Sequence, residues 1–232
     1  MNVFSSTRLL VAPKVSLPPR LKINKKLKMD GLKFLSKIPD NSIPASFFDP
    51  QYRGVYEQMK YGNEDTSRNH KRVEIPQMND DLICEFISEI SRVLMPSGHL
   101  FLWLDKFHLC TNFKEWFEGS ILHTVDMITW NKKKIGLGYR ARHTSEFLLV
   151  LQKEPKRAKG VWTLRDIPDV WDEKIPPQKK YHHTKPIELQ AKLIRAVTNE
   201  NDIVIDPASG SFSVMESCKI TNRTFLGCDI RG

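Results

Sequence analysis

The four residues Asp49-Pro50-Gln51-Tyr52 have types and spacing that suggest chemistry. The apolar residues 45–48 before them predict a buried strand. Proline fixes its own φ angle and biases the preceding residue toward an extended conformation, so the strand must end here with the Asp49 carboxylate and the Pro50 carbonyl exposed. Two hydrogen-bond acceptors beside a flat ring would suit a planar group with an amino group, such as the edge of adenine or cytosine. These four residues alone would more often form an ordinary Asp-Pro turn with a surface tyrosine.

A second candidate site is the turn at residues 206–212, between an apolar strand and the start of a helix. Its small residues would let backbone amides approach a ligand at the helix N-terminus, as in nucleotide-binding turns. The turn is neither a Walker loop nor a G-x-G-x-x-G turn, so no pyrophosphate is implied. Asp229 follows Asp206 by roughly twenty residues, the spacing at which doubly wound folds place a ribose-binding acid. The simpler alternative is a helix N-cap with a surface acid.

The elements that must position these residues alternate between strands and helices, which predicts an α/β fold with a doubly wound, mostly parallel sheet. Strands are predicted at residues 27–30, 45–48, 99–104, 121–130, 146–151, 203–206 and 224–229. Helices are predicted at residues 31–38, 80–95, 106–117, 186–197 and 212–220. The nearly continuous apolar run at 99–104 indicates a sheet covered on both faces. Such sheets bind their ligands at the carboxyl ends of the strands, where both candidate sites lie.

The positive charge is concentrated in one part of the chain. The 232 residues carry a formal net charge of +9. Between Ile128 and Lys185, 14 Lys and Arg residues accompany six Asp and Glu residues, so this stretch holds most of the basic excess. Residues 131–181, the basic segment, are therefore interpreted as an insertion that binds a polyanion. Residues 1–26 are interpreted as a loosely attached N-terminal arm, and residues 27–130 with 182–232 as one domain.

Composition disfavours several classes of protein. No apolar run is long enough to span a bilayer, and the first residues lack a convincing signal peptide, so we expect a cytoplasmic protein with no membrane partner. The four cysteines, at 84, 110, 218 and 228, form no CxxC pair, so neither a disulfide framework nor a zinc site is predicted. The adjacent His182 and His183 are more typical of a turn than of a metal site.

Four segments resemble motifs of the amino-methyltransferases. Asp49-Pro50-Gln51-Tyr52 is similar to the (D/N/S)-P-P-(Y/F/W) motif. Residues 206–212 resemble the D-P-F-x-G-S-G turn for S-adenosylmethionine and are called the cofactor turn below. Residues 223–229 resemble the strand that carries the ribose-binding acid, and residues 183–189 resemble the segment leading into that turn. The order, with the catalytic motif first and the cofactor turn last, resembles the β group of DNA methyltransferases, over residues 27–232.

This resemblance implies a circularly permuted S-adenosylmethionine-dependent methyltransferase fold. The implied reaction is site-specific methylation of the N6 amino group of an adenine flipped out of double-stranded DNA. The implied catalytic residues are Asp49 and Pro50, which accept the amino protons, and Tyr52, which stacks on the base. The implied cofactor-binding residues are Asp30, Asp206, Ala208, Ser209, Gly210, Ser211, Phe212, Glu216 and Asp229. Gln51 replaces the second proline of the motif and Phe212 the second glycine of the turn, so we expect some difference in the cofactor pose.

The basic segment is expected to hold DNA phosphates, while a few side chains read the major groove. Its candidate contacts are Lys132, Lys133, Lys134, Arg140, Arg142, Lys156, Arg157 and Lys159. The resemblance to restriction–modification enzymes also raises a homodimer and a cognate restriction endonuclease as further partners.

Other functions remain open from the residues. The same chemistry could act on cytosine N4, on RNA or on a protein side-chain amide. Pro168-Asp169 followed by Asp172-Glu173-Lys174 resembles the PD…(D/E)xK site of metal-dependent nucleases, although its acids lie too close in sequence for the usual separate strands. A DNA-binding relative without activity is the remaining alternative.

Overall fold

A computed structural model of the chain describes residues 10–51, 78–110, 113–136, 140–174 and 184–232. These residues form one sheet of eight strands in the order β1-β8-β7-β2-β3-β5-β4-β6. The strands are β1 Lys26–Lys28, β2 Ile43–Phe48, β3 Leu94–Leu104, β4 Leu122–Asn131, β5 Ser145–Lys153, β6 Val170–Asp172, β7 Ile203–Asp206 and β8 Thr224–Asp229. The helices are α1 Gly31–Leu35, α2 Asp80–Val93, α3 Lys106–Cys110, a 3₁₀ helix Phe113–Phe117, α4 Ile187–Val197 and α5 Ser213–Ile220.

Strand pairing confirms the predicted mostly parallel sheet. β2 lies between β7 and β3 and is parallel to both. Of the eight described strands, β5 alone runs in the opposite direction. The carboxyl ends of the other seven therefore meet at one edge, which is the ligand-binding edge of such sheets. Chain segments from near both ends of the sequence, β1 and β2 on one hand and β7 and β8 on the other, become neighbours there.

Both faces of the sheet are covered, as the apolar run of β3 predicted. Leu100 and Leu102 pack on one face with α1 and α2. Phe101 and Trp103, which alternate with them, pack on the other face with α4 and α5. This alternation follows from the two-residue repeat of a strand, and it makes the fold three layers thick. None of the helices in the described ranges is long and apolar enough to cross a membrane.

Two predicted elements differ markedly from the structure, and one strand was missed. β3 begins at Leu94 and not at residue 99, because residues 94–98 continue the strand through a register shift opposite Ile43 and Ala45. The predicted helix 106–117 is two short helices, α3 and the 3₁₀ helix. β6 was missed, since three residues are too few to show a period.

The N-terminal arm packs on the sheet where it is described. Leu21 is buried in the core, and Leu17 packs against it. The Asn24 backbone N–H donates to the Phe225 carbonyl at 2.8 Å, and the Asn24 side-chain oxygen accepts the Phe225 N–H at 2.9 Å. These contacts attach residues 17–26 more firmly than the prolines of this region suggested. The domain boundaries inferred from the sequence stay predictions.

Candidate active site

Three carboxylates meet at the ends of neighbouring strands. Asp206 ends β7, Asp229 ends β8, and Asp49 follows β2. Because β7 pairs with both β2 and β8, the predicted catalytic motif and the cofactor turn lie side by side. The structure thus brings together two sites that are separated by most of the sequence.

The cofactor turn is folded back onto β8 by hydrogen bonds. The Ser209 N–H donates to the Cys228 carbonyl at 2.9 Å, and its hydroxyl donates to the Asp206 carbonyl at 2.8 Å. The Gly210 N–H donates to Oδ2 of Asp229 at 3.1 Å. Gly210 has a φ of +47°, and an added Cβ would have no heavy atom within 4 Å. A ligand therefore has open space directly above the backbone of this glycine.

Gly227 allows the turn to lie this close to the strand. A Cβ on this residue would come within 2.5 Å of the Asp206 carbonyl oxygen and 2.7 Å of Oγ of Ser209. Both distances are shorter than any van der Waals contact, so a larger residue would displace the turn. The glycine at this position of β8 is therefore a packing requirement of the cofactor turn.

Phe212 keeps the backbone shape that the turn requires. It adopts left-handed angles, φ 61° and ψ 33°, which suits the glycine of the resembling motif. This conformation costs a non-glycine residue about 1–2 kcal/mol. The Phe212 ring is 1% exposed and packs edge-on against Phe225, with centroids 6.1 Å apart. Burial of the aromatic ring offsets the strain, so a non-glycine residue is accommodated at this position of the turn.

The Asp206 carboxyl makes the site favourable for a positively charged ligand. It is buried, and its Oδ1 accepts the Ala208 N–H at 3.2 Å. Removal from water, together with the nearby negative charges of Asp49 and Asp229, raises the pKa of Asp206 to about 8. A cationic ligand beside this carboxyl would favour its ionised form. The sulfonium and ammonium groups of S-adenosylmethionine fit that requirement.

The other predicted cofactor residues have different placements. Asp30 follows β1 and caps α1 by accepting the Lys33 N–H at 2.9 Å. Since the neighbouring Met29 N–H donates to the Asp229 carbonyl, Asp30 lies at the same sheet edge. Ser211 is half-buried in the turn, whereas the Glu216 side chain is exposed on α5.

A cavity of about 320 Å³ opens beside Asp49. Its walls come from the ends of β2 and β3, from the start of β5 and from the residue before Pro186. The lining residues are Asp49, Pro50, Gln51, Leu104, Asp105, Lys106, Lys132, Arg142, His143, Thr144, Ser145, Glu146, Phe147 and Lys185. Predicted catalytic residue Tyr52 lies outside the described residues, whereas Pro50 is buried in the wall.

A largely shielded lysine connects Asp49 to a second acid that the sequence analysis missed. Lys185 Nζ lies 3.0 Å from Oδ2 of Asp49 and 2.8 Å from Oε2 of Glu146. Oε1 of Glu146 lies 3.2 Å from Nζ of Lys132. Burial opposes the charge on Glu146, but Lys185 and Lys132 lower the pKa of that carboxyl to about 2. Burial likewise opposes the charge on Lys185, but Asp49 and Glu146 raise the pKa of that lysine above its usual value.

Five of the predicted DNA contacts lie near the active site. Lys132 and Arg142 line the cavity. Lys133 pairs with Asp172 of β6 at 2.6 Å. Lys134 and Arg140 are exposed in the connection between β4 and β5, at the same edge of the sheet.

The other three lie at the opposite end of the sheet. Lys156, Arg157 and Lys159 follow the carboxyl end of β5, which is antiparallel to β3. Gln152 Nε2 donates to the Ser97 carbonyl at 3.1 Å and to the Arg157 carbonyl at 2.8 Å, which places this group beside the start of β3. Gln152 pairs with His99, and the active-site end of β3 at Leu104 is about 17 Å farther along the strand, at roughly 3.3 Å per residue. The structure does not bring these residues together with the other five.

The acids of the nuclease-like sequence have structural partners. Glu173 accepts the Glu188 N–H at 3.1 Å and the Leu189 N–H at 3.0 Å, so it caps the start of α4. Asp172 accepts a hydrogen bond from Asn131 and pairs with Lys133. Within the described part of the chain, no group of three or more His, Cys, Asp or Glu side chains is arranged to hold a metal ion. These contacts disfavour the nuclease hypothesis.

Known proteins are similar to this chain over most of its length. The model of a DNA methylase family, N6_N4_Mtase, matches residues 46–232. Type II methyltransferase M.HhaII of Haemophilus parahaemolyticus is 55% identical over 209 residues, which cover 90% of this chain and 91% of the relative. Type II methyltransferase M.HpaI of Haemophilus parainfluenzae is 28% identical over 87% of this chain and 68% of the relative. The chain therefore belongs to this family of DNA methylases.

Solved structures share the fold. A crystal structure of an M1.HpyAVI–SAM complex is similar with a TM-score of 0.62 at 20% identity, over 88% of this chain and 92% of that one. PvuII DNA methyltransferase, described as cytosine-N4-specific, gives a TM-score of 0.68 at 14% identity, over 90% of this chain and 83% of that one. The predicted methyltransferase fold is confirmed. So is the predicted activity, methyl transfer to DNA with S-adenosylmethionine as the cofactor.

Proposed function

We propose that this enzyme methylates the exocyclic N6 of adenine in double-stranded DNA, on a base flipped out of the helix. The observation that carries this proposal is the Asp49 carboxylate, which lies between the cofactor turn and the 320 Å³ cavity. A paired and stacked adenine cannot present its amino group to a methyl donor, so extrusion of the base is required. The cavity is where the extruded base would enter.

The residues of this chain act by orientation and electrostatics. Asp49 and the Pro50 carbonyl accept the two amino protons, which turns the nitrogen lone pair toward the methyl group. The same carboxylate stabilises the positive charge that develops on the nitrogen as the new bond forms. Asp206 and Asp229 hold the cofactor at the neighbouring strand ends. Alignment of two reactants in this way contributes several kcal/mol to catalysis.

The test is methylation of a plasmid library in vitro, with modified bases mapped at single-nucleotide resolution. We expect N6-methyladenine in one short sequence context. N4-methylcytosine would instead establish the alternative target. Absence of label from tritiated S-adenosylmethionine in DNA, with label in RNA or protein, would overturn the choice of DNA adenine.

Affinity for S-adenosylmethionine should increase with pH. At neutral pH the Asp206 carboxyl, with its pKa of about 8, is mostly protonated without a ligand. A bound cation favours the carboxylate, so binding releases a proton and the affinity rises from about pH 6 to about pH 8, by at most about tenfold per unit. By the same linkage, the contribution of Asp206 to the stability of the ligand-free protein decreases as pH rises from about 4 to about 8.

Calorimetric titration across this pH range, in two buffers of different ionisation enthalpy, measures both the affinity and the released proton. Asp206→Asn is the matched control, because the amide keeps the shape but cannot ionise. An unchanged pH slope in that variant would contradict the assignment to Asp206.

We propose that Lys132, Lys133, Lys134, Arg140 and Arg142 form the DNA phosphate interface, since they lie at the active-site edge. DNA affinity should fall steeply with salt, and Lys134→Ala should reduce the slope of log K against log salt by about one. Lys156→Ala is the control, because Lys156 lies at the far end of the sheet. Fluorescence anisotropy over a salt series measures both slopes. If only the Lys156 variant showed a reduced slope of log K against log salt, DNA would bind at the far end of the sheet and the proposed interface would be wrong.

The remaining partners are also proposals. The similarity to type II methyltransferases supports a cognate restriction endonuclease as a partner. Co-expression of the enzyme with a gene library, followed by challenge with a plasmid, tests for this partner. Sedimentation of the purified protein with and without DNA tests a homodimer. A cytoplasmic location stays a prediction.

A further inference from the structure

Glu146 and Lys185 form a partly buried ion pair beside Asp49. Lys185 is 15% exposed and contacts one carboxylate oxygen of Asp49 and one of Glu146. Three separate parts of the chain supply these groups: the end of β2, the start of β5 and the residues before α4. Asp49 and Glu146 therefore share one ammonium group beside the cavity, and this arrangement suggests a role for Glu146 in the reaction.

We propose that Glu146 is a positioning residue for methyl transfer, acting on Asp49 through Lys185. The inference rests on the proposed role of Asp49 as acceptor for the target amine. Lys185 fixes the orientation of the Asp49 carboxylate, and Glu146 fixes the position of Lys185.

The charges explain why a second acid is useful. During transfer, the amino nitrogen lone pair forms the nitrogen–carbon bond while the carbon–sulfur bond breaks, its electron pair going to sulfur. The nitrogen becomes positively charged until it loses a proton to solvent. A lysine beside Asp49 would oppose that charge if it stood alone. Glu146 balances the lysine, so the group as a whole still favours a positive nitrogen.

The surroundings hold the lysine in place. Lys185 Nζ lies 5.0 Å from the centre of the buried Trp103 ring. The helix that follows Lys185 is fixed at its first turn by the Glu173 carboxylate. Removing one member of a pair that is largely shielded from water leaves a charge that solvent compensates less well than it would at the surface. Loss of the Glu146 charge should therefore alter the position of Lys185 and, through it, the orientation of the Asp49 carboxylate.

The main experiment is a double-mutant cycle on the full chain, with kcat and KM measured separately. Glu146→Gln keeps the side-chain shape, and we expect kcat to fall on the order of tenfold to hundredfold with little change in KM for S-adenosylmethionine. Glu146→Asp should recover part of the loss, because it restores the charge. In a Lys185→Met background, Glu146→Gln should have no further effect or a favourable one, since the two residues act through one contact.

The pH profile separates positioning from a purely structural role. Without the lysine, the Asp49 and Glu146 carboxylates face each other, and like charges disfavour ionisation. The acid limb of kcat should therefore move to higher pH in Lys185→Met and return when Glu146→Gln is added. Lys192→Met is the matched control, because Lys192 also pairs with an acid, Asp166, and also lies over a ring, Trp171.

Several results would overturn the inference. Unchanged kcat and pH profile in Glu146→Gln would do so, even if Lys185→Met failed to fold. Additive effects of the two substitutions would also do so, as would a drop in melting temperature with normal turnover. Asp49→Asn distinguishes this failure from that of the proposed function: if Asp49→Asn is inactive while the Glu146 variants are normal, only the inference fails. If Asp49→Asn turns over normally, both fail.

Discussion

Replacing Asp49 with alanine should abolish measurable methylation, a loss on the order of a thousandfold. The variant loses the acceptor that orients the amino group and the charge that stabilises the nitrogen during transfer. DNA affinity should change little, because the proposed phosphate contacts lie in the basic segment and β2 supplies none of them. Incorporation of tritiated methyl groups and fluorescence anisotropy with the same duplex measure the two quantities.

Asp166→Ala is the control for this substitution. It also removes an acid from an ion pair with a lysine, at 2.5 Å from Lys192, but it lies on the surface away from the cavity. Its turnover should equal that of the unmodified enzyme. Normal turnover by Asp49→Ala would show that the methyl group is transferred at a different site.

The second large effect is expected at Gly227, where alanine should reduce affinity for S-adenosylmethionine by about a hundredfold or more. The added Cβ would overlap the Asp206 carbonyl and Oγ of Ser209, so the cofactor turn must leave β8. Overpacking of this kind also costs about 1–3 kcal/mol of stability. Calorimetric titration with S-adenosylmethionine and chemical unfolding measure the two effects.

Gly210→Ala is the informative comparison, because its Cβ would meet no protein atom but would point into the space above the turn. We expect a modest stability loss of about 1 kcal/mol from its left-handed backbone, together with loss of cofactor affinity. If Gly210→Ala binds the cofactor normally, the ligand does not lie over this turn. If Gly227→Ala binds the cofactor normally, displacement of the turn does not affect cofactor binding.

The basic segment serves the fold as well as the proposed DNA interface. Lys153 lies within the basic excess, yet its Nζ is buried and donates to the Ser91 and Leu94 carbonyls at 2.6 Å, which closes the end of α2. Lys132 and Lys133 pair with Glu146 and Asp172. DNA phosphates must therefore compete with internal carboxylates for these two lysines. A count of charges cannot reveal this competition, because the partners come from other strands.

Local residue patterns by themselves determined the class of this protein. A strand followed by Asp49-Pro50 and another followed by the cofactor turn are local features, and proline, glycine and apolar periodicity predict them without tertiary information. The strand alternation likewise predicted the sheet type. Even the departure at Phe212 was visible in the sequence, although its consequence was not.

Tertiary structure decided which residues share a site. Glu146 is the second residue of β5 and carries no local signal, but the antiparallel pairing of β5 with β3 brings it to Lys185 and Asp49. The same pairing carries Lys156, Arg157 and Lys159 to the far end of the sheet. Strand direction and order depend on contacts between residues far apart in the chain. A local pattern can therefore predict which chemical groups a site contains, but it cannot predict the distances between them.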